Sequence, residues 1–304
     1  SEEWGSVCIS CAGGAVVEAV FHPKREETPV SHGYRLTVSG LRSGHSGIMI
    51  DSGRLNAIKI AAAFLSELHE VKLISCTGGS AKNVFPGTAE FIFTASDADI
   101  ASLAAEFAKV NAVETDPDLK IEIEAVTSPQ TSWTKDSSKI ILSALSSVPN
   151  GCFKRSASGP LLSSNLGVLR TDADGTVSVT CFVRGNDNAE CEIRTAEIQK
   201  FFEDAGAKTF VSDKFPGWKE ADESPLLRRI KGVYRSLFDA DILVCTTHGG
   251  LEGGYFAEMN PSLQIVSIGP DIENPHTVDE RLNIDSFLKL KEFVYAMVKE
   301  NAQK

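Results

Sequence analysis

Apolar and polar positions alternate along this chain with two different periods, and the changes of period outline its elements. The period is two in "YRLTVSG" (34–40) and "LKIEIEAVT" (119–127), which predicts half-buried strands, and "VKLISC", "TAEFIFTAS" and "GTVSVTCFVRG" read as further strands. Between them Leu55, Ile58, Ala62, Leu65 and Leu68 recur at helical spacing. Further helices are expected over 97–112, 135–148 and "AECEIRTAEIQKFFEDAG", the last stopping at Gly206.

From about 14 to 215 the chain therefore runs through strands and helices in two similar passes, each in the order of an α/β sandwich with one covered face. The tail differs. It predicts a helix over 224–237, a strand "ILVC", a glycine-rich loop "TTHGGLEGG", a strand "QIVSIG" and a long final helix, the pattern of a mostly parallel sheet. These strands are too few for a sheet of ~4–6. The apolar opening "SVCISCAGG" could pair there, which still leaves the layer short.

Composition narrows the function classes. A length of 304 residues fits about two domains of ~100–200 residues each. The net charge of -11, with no Lys/Arg cluster, argues against a nucleic-acid or anionic-membrane surface and for a small-molecule or metal ligand. No apolar run reaches the ~18–20 residues of a membrane span, and the acidic "SEEWGS" start is unlike a secretory leader, so a cytoplasmic protein is expected. The seven scattered cysteines read as buried thiols rather than disulfides, and Cys8-x-x-Cys11, lacking a second pair at zinc spacing, as two strand thiols.

Several polar residues stand in backbone settings suited to a site. His45 lies between glycines in "SGHSG", which lets backbone approach a ligand, although a plain turn histidine has the same surroundings. Asn83 precedes Pro86 in "KNVFPG", as a turn asparagine also would. Arg184 ends a strand on the face opposite Val179, Cys181 and Val183, where a guanidinium fork suits a carboxylate or simply meets solvent. Glu252 sits among Gly249, Gly250, Gly253 and Gly254, and His248 before them reads as a packing residue rather than a ligand. His276 is held between Pro275 and Thr277 on a loop after a strand, where the proline restricts the backbone.

Four separated stretches, "GLRSGHSG", "KNVFPGTAEF", "HGGLEGGYF" and "SIGPDIENPHTVDE", resemble in order the signatures of the two-zinc exopeptidases. The nearest likeness within that family is to the aminoacyl-histidine (Xaa-His) dipeptidases, which group with carnosinases and succinyl-diaminopimelate desuccinylase, and it covers essentially the whole chain. The resemblance implies an α/β fold: part of a zinc-exopeptidase catalytic domain (1–13 and 216–304) around an inserted α/β lid, or dimerisation, domain (14–215). It implies dipeptide hydrolysis by a water activated on two zinc ions, with His276 as the last metal ligand. Arg184 would bind the substrate carboxylate, and Gly250 and Glu252 would frame the substrate's backbone end, Glu252 bonding either substrate or loop amides. His45 would donate to the developing oxyanion, and it and Asn83 would act from the lid into the neighbouring subunit of a homodimer.

The same resemblance places a His-x-Asp, a bridging Asp, a Glu-Glu pair and a further Asp upstream of a Ser-Glu-Glu like Ser1–Glu3. No histidine here has an aspartate two positions on, and the pairs Glu2–Glu3 and Glu26–Glu27 do not match the catalytic one. The remaining ligands are thus expected from a separate N-terminal chain or segment, without which this chain would be inactive. The alternative expectation is a non-catalytic fragment or dimerisation subunit, and an aminoacylase or tripeptidase specificity stays open within the family.

Overall fold

The computed structural model describes residues 3–28, 32–96, 98–101, 103, 115–127, 131–157, 159–219, 223–275 and 278–301. Its main feature is a nine-stranded sheet. Strands β3 (Gly13–Phe21), β5 (His32–Ser39), β6 (Lys72–Gly78), β7 (Ala89–Thr94), β8 (Lys120–Thr127), β11 (Gly159–Thr171), β12 (Val177–Gly185) and β13 (Lys208–Phe215) lie in the order β13-β3-β12-β11-β6-β7-β5-β8, and β10 (Gly151–Ser156) pairs beside β11. Every pairing in it is antiparallel.

Chain order against spatial order shows an internal repeat. In the first half, β5, helix α1 (Ala57–Ser66), β6, β7, a helical stretch at 98–101 and β8 follow one another, and the strands lie as β6-β7-β5-β8. In the second, β3, α2 (Lys135–Ser147), β11, β12, α3 (Asn188–Asp204) and β13 follow one another, and the strands lie as β11-β12-β3-β13. The two orders are the same. The first half is threaded between β3 and α2 of the second, and the halves meet where the equivalent edge strands β6 and β11 pair at Gly78 and Leu169. The short strands β4 (Arg25–Glu27) and β9 (Thr131–Trp133) pair where the chain leaves and re-enters the second half.

Local chemistry sets the helix ends. Asn56 caps α1 by accepting from the Ile58 and Lys59 amides, Thr134 caps α2 through Ser137, and Asp187 caps α3 through Glu190, supplying acceptors that a first turn lacks. After α3 the chain turns at Gly206, whose φ of +85° is open to glycine at little cost. The apolar faces of the three helices and the sheet close one core, in which Trp133, Phe91, Phe93 and Phe202 are fully buried. The expected helix over 97–112 lies largely outside the described residues.

The chain ends form a smaller layer. Strands β1 (Ser6–Cys8) and β15 (Leu243–Cys245) pair in parallel, and β2 (Ser10–Cys11) pairs with β14 (Trp218–Lys219). Helices α4 (Pro225–Phe238) and α6 (Ile284–Asn301) pack together around Val7, Leu227, Ile230, Tyr234 and Phe293, with α5 (Gly253–Met259) beside β14. A further hairpin joins β16 (Ile272–Glu273) to β17 (Arg281–Leu282). The expected strand "QIVSIG" is a correction: only Ser267 bridges, trading backbone hydrogen bonds of 2.8 Å with Cys8, because its apolar run has one residue of partner backbone to pair with. The mostly parallel sheet is likewise reduced, among the described residues, to the single pair β1–β15.

Candidate functional site

Where the large sheet meets the terminal layer, four side chains close a buried hydrogen-bond network. Asn186, just past β12, donates through Nδ2 to Ser10 Oγ at 3.0 Å and to the Thr247 carbonyl at 3.1 Å, so its Oδ1 is left to accept. His248 Nδ1 therefore donates to Asn186 Oδ1 at 2.8 Å, and Nε2 accepts from Ser163 Oγ at 2.8 Å. This assigns the tautomer and keeps the ring neutral. Burial, and after it the charge of Arg184 and the His45 ring, hold the His248 pKa down at about 4.

Arg184 sits one strand from Ser163, in direct register with it. Arg184 is buried rather than solvated: it is only 5% exposed, with its guanidinium 4.3 Å over the Phe182 ring. Burial lowers its pKa to about 10, which leaves it charged at neutral pH. No carboxylate pairs with it among the described residues, and its Nε has no hydrogen-bond partner. A buried charge in that state is costly, since buried ions are ordinarily paired.

His45 faces this guanidinium from the first half of the sheet. The loop carrying it is held by a bridge from His45 to Val84, by Ser46 N–H donating to the Asn83 carbonyl at 2.9 Å and by Phe85 N–H donating to Gly44 at 3.1 Å. His45 Nδ1 accepts from the Gly47 and Ile48 amides at 3.3 and 3.2 Å, which puts the proton of the neutral ring on Nε2. Nε2 lies 3.4 Å from Arg184 Nη2 of the same chain. Two donors thus face one another, an arrangement that an anion accepting from both would satisfy. Gly47 permits the approach: a Cβ there would lie 2.8 Å from the His248 carbonyl oxygen and 3.1 Å from Arg184 Nε.

The other candidates are placed less centrally. Asn83 is half-buried and serves the loop through its carbonyl. Gly250 is exposed against the Phe215 ring, which itself packs 6.1 Å from Phe182. Glu252 stands exposed at the start of α5 and makes no side-chain cap bond to that helix. The glycines after it serve packing rather than ligand approach: a Cβ on Gly254 would fall 2.0 Å from the Pro216 carbonyl oxygen. His276 lies outside the described residues. Ser163 and Asn186, which carry no spacing signal, were not among the residues expected from sequence.

A model of the peptidase dimerisation domain of the M20 family matches residues 30–120. The chain is 31% identical over 300 residues to the cytosol non-specific dipeptidase of Escherichia coli (strain K12), covering 94% of this chain and 61% of that protein. It superposes with a TM-score of 0.88, at 29% identity, on the crystal structure of aminoacylhistidine dipeptidase from Vibrio alginolyticus, over 99% of this chain and 64% of the other. The chain belongs to the M20 peptidase family. It spans under two thirds of the length of either relative.

Within this M20 chain the described residues contain no group of three or more His, Cys, Asp or Glu side chains placed to hold a metal ion. By themselves they therefore do not fit a two-zinc centre. All seven cysteines are free, five of them buried, and no helix of the described residues is long and apolar enough to cross a membrane.

Proposed function

We propose that this chain is the substrate-recognition part of a metal-dependent, cytoplasmic dipeptidase acting on Xaa-His and other dipeptides. The observation that carries the reading is the buried Arg184 guanidinium, unpaired by any carboxylate among the described residues and faced by the His45 Nε2 proton. The C-terminal carboxylate of a dipeptide supplies the missing anion, and Arg184 fixes the peptide's end by a charged hydrogen bond. His45 donates to the oxygen of the reacting carbonyl, with Asn83 and the loop around Gly250 and Glu252 bordering the substrate. The chain positions 1–13 and 216–304 are then catalytic-domain segments, and 14–215 is the lid.

The metal centre in this reading takes His276 from this chain and the rest of its ligands, with the catalytic base, from polypeptide that precedes it or pairs with it. Exposed Leu243, Tyr255, Phe256, Met259 and Tyr295 on the terminal layer give such polypeptide an apolar surface to cover. The zinc ions and a homodimer belong to this proposal. The second reading is a non-catalytic fragment or dimerisation subunit, which the dimerisation-domain match over residues 30–120 also fits.

The test compares a dipeptide with its C-terminal amide in the zinc-loaded enzyme containing this chain. The free carboxylate is expected to be preferred about 10–100-fold, as a charged hydrogen bond provides. Arg184→Met should erase that preference. An amide hydrolysed as well as the acid by the unaltered enzyme would end the carboxylate reading, and no hydrolysis of either would favour the non-catalytic one.

A further inference from the structure

We propose that Cys8 and Cys245 form a modification site, a dithiol that hydrogen peroxide closes to a disulfide beside the buried Asn186–His248 network. Neither thiol takes part in the recognition described above.

Strand register brings the pair together. Cys8 of β1 and Cys245 of β15 are direct partners in the parallel pairing. Val7, Ile9 and Val244 pack into the cluster formed with α4 and α6, so by alternation both cysteines lie on the opposite face of the layer. Neighbouring strands run about 4.8 Å apart, inside the Cα separations of about 4.4–6.8 Å that a disulfide spans. Cys8 is 2% exposed, whereas Cys245 is only half-buried and so open to a small oxidant. Cys11, the other half of the C-x-x-C, points its thiol elsewhere, to the Leu251 carbonyl at 3.7 Å.

The two thiols are unequal in their chemistry. Their mutual hydrogen bond, opposed by burial and aided by Ser6, lowers the Cys245 pKa to about 7, while the same bond, with burial, raises that of Cys8. Near neutral pH Cys245 is therefore the thiolate that attacks, and Cys8 keeps its proton. The other five cysteines are all raised, chiefly by burial, and Cys76 and Cys181 reach about 12. A low-pKa thiol next to a resolving thiol is the arrangement that peroxide oxidises to a disulfide.

In the first step the Cys245 thiolate attacks one peroxide oxygen, the O–O bond breaks, and hydroxide leaves to take up a proton as water. Cys245 is then a sulfenic acid. In the second, Cys8 attacks that sulfur, the S–O bond breaks, and the departing hydroxide takes the Cys8 proton. Two thiols and one peroxide become one disulfide and two waters, with sulfur oxidised and oxygen reduced.

Both strands run on from the pair into the network. Cys8 Sγ donates to the Ser10 carbonyl at 3.2 Å, and the Thr247 amide donates to the same carbonyl at 3.0 Å. Asn186 in turn bonds Ser10 Oγ and the Thr247 carbonyl, on the residues two beyond each cysteine, and accepts from His248. A disulfide removes the Cys8 donor and ties the strands at that point, so oxidation reaches the His248 ring through Asn186. Its effect on activity, unlike its formation, rests on the proposed function.

Peptide mapping tests the site in the zinc-loaded enzyme containing this chain. After peroxide treatment, removal of the excess with catalase and blocking with iodoacetamide, a linked Cys8–Cys245 peptide is expected, returned to two free thiols by dithiothreitol. In Cys8→Ser the oxidation should stop at a Cys245 sulfenic acid that dimedone traps. Cys245 oxidised without a link to Cys8 in the unaltered chain, linked to a different cysteine, or left reduced would overturn the proposal. The His248 imidazole signals in a proton–nitrogen NMR spectrum should move on oxidation of the unaltered chain and stay in place in Cys245→Ser. Unmoved signals once the disulfide has formed would break its connection to the network. Dipeptide kcat/KM should fall about tenfold on oxidation and recover on reduction, as displacement of a positioning network produces. An enzyme inactive before oxidation would fail the dipeptidase reading, and the mapped disulfide and moved imidazole signals would still uphold the site.

Discussion

His248 shows how little of a site a single residue type reveals. In the sequence it is one more histidine beside glycines, and in the fold it is buried and hydrogen-bonded through both ring nitrogens. Its function in the fold depends on Ser163, Asn186 and Ser10, three ordinary polar residues far apart in the chain that only the fold brings together. Arg184 was more legible, because alternation along β12 put it opposite the valines, but its burial comes from the first half's loop packing over it. The neutral state of His248 has a measurable consequence. Its folded pKa of about 4 lies below the ordinary 6.5, so the unfolded chain takes up the proton first as pH falls. Stability should therefore be fully present above about pH 6.5 and decline toward pH 4, by up to about 3 kcal/mol at 1.36 kcal/mol per pKa unit. Urea titrations at pH 7, 5.5 and 4.5 would measure this, and His248→Gln should flatten the decline. An unchanged slope in that variant would assign the acid sensitivity to other groups.

At the scale of elements, periodicity located most strands and helices but not how they join. The alternation in "LKIEIEAVT" became β8, and the helical spacing from Leu55 became α1 with Asn56 as its cap. The two similar passes were visible too. What no pattern of apolar positions encodes is that β3 belongs to the second half in space, or that two edges of like order meet at β6 and β11, since edge pairing is made by backbone groups common to all residues. "QIVSIG" had a strand's composition without a strand's neighbours. The polar ties between the two halves can be weighed one at a time, beginning with Asn165 on β11, which donates to the Lys82 and Val84 carbonyls at 3.0 Å each. Replacing Asn165 by Ala leaves the Lys82 and Val84 carbonyls without their donor, and a loss of about 2–3 kcal/mol is expected. The loop should loosen with it, seen as faster hydrogen exchange at the Ser46 and Phe85 amides, which close it onto Asn83 and Gly44. Asn150→Ala, which removes the acceptor for the Leu166 amide inside the second half, is the comparison: it should lower stability while leaving those two amides protected. Equal deprotection in both variants would mean that general destabilisation, not the Asn165 tie, opens the loop.

The whole molecule has two cores of unequal size, and that inequality should govern how it unfolds. The large sheet and its helices bury one extended cluster, whereas the terminal layer buries a small one in which Trp4 meets Tyr234 at 5.5 Å and Phe238 at 5.3 Å. The small layer also leaves apolar side chains open to water, among them Met259 at 82% and Tyr295 at 72% exposure. A unit burying a smaller fraction of its surface has less to offset the entropy of ordering its chain. The three tryptophans allow the units to be followed separately. Trp4 reports the terminal layer in a Trp133→Phe/Trp218→Phe chain, and Trp133, fully buried in the large core, reports the large sheet in a Trp4→Phe/Trp218→Phe chain. The Trp4 transition is expected at the lower denaturant concentration, with residues of the large sheet still protected. Coincident transitions would instead mean that polar ties such as the buried Ser163–His248–Asn186–Ser10 network couple the layers into one cooperative unit. Polypeptide that covers the exposed apolar face should raise the Trp4 midpoint by mass action and leave the Trp133 midpoint nearly where it was, since binding stabilises the unit whose folded form it recognises. A shift confined to Trp133 would place the covering surface on the large sheet and remove the support that the terminal layer's apolar side chains give to the proposed assembly.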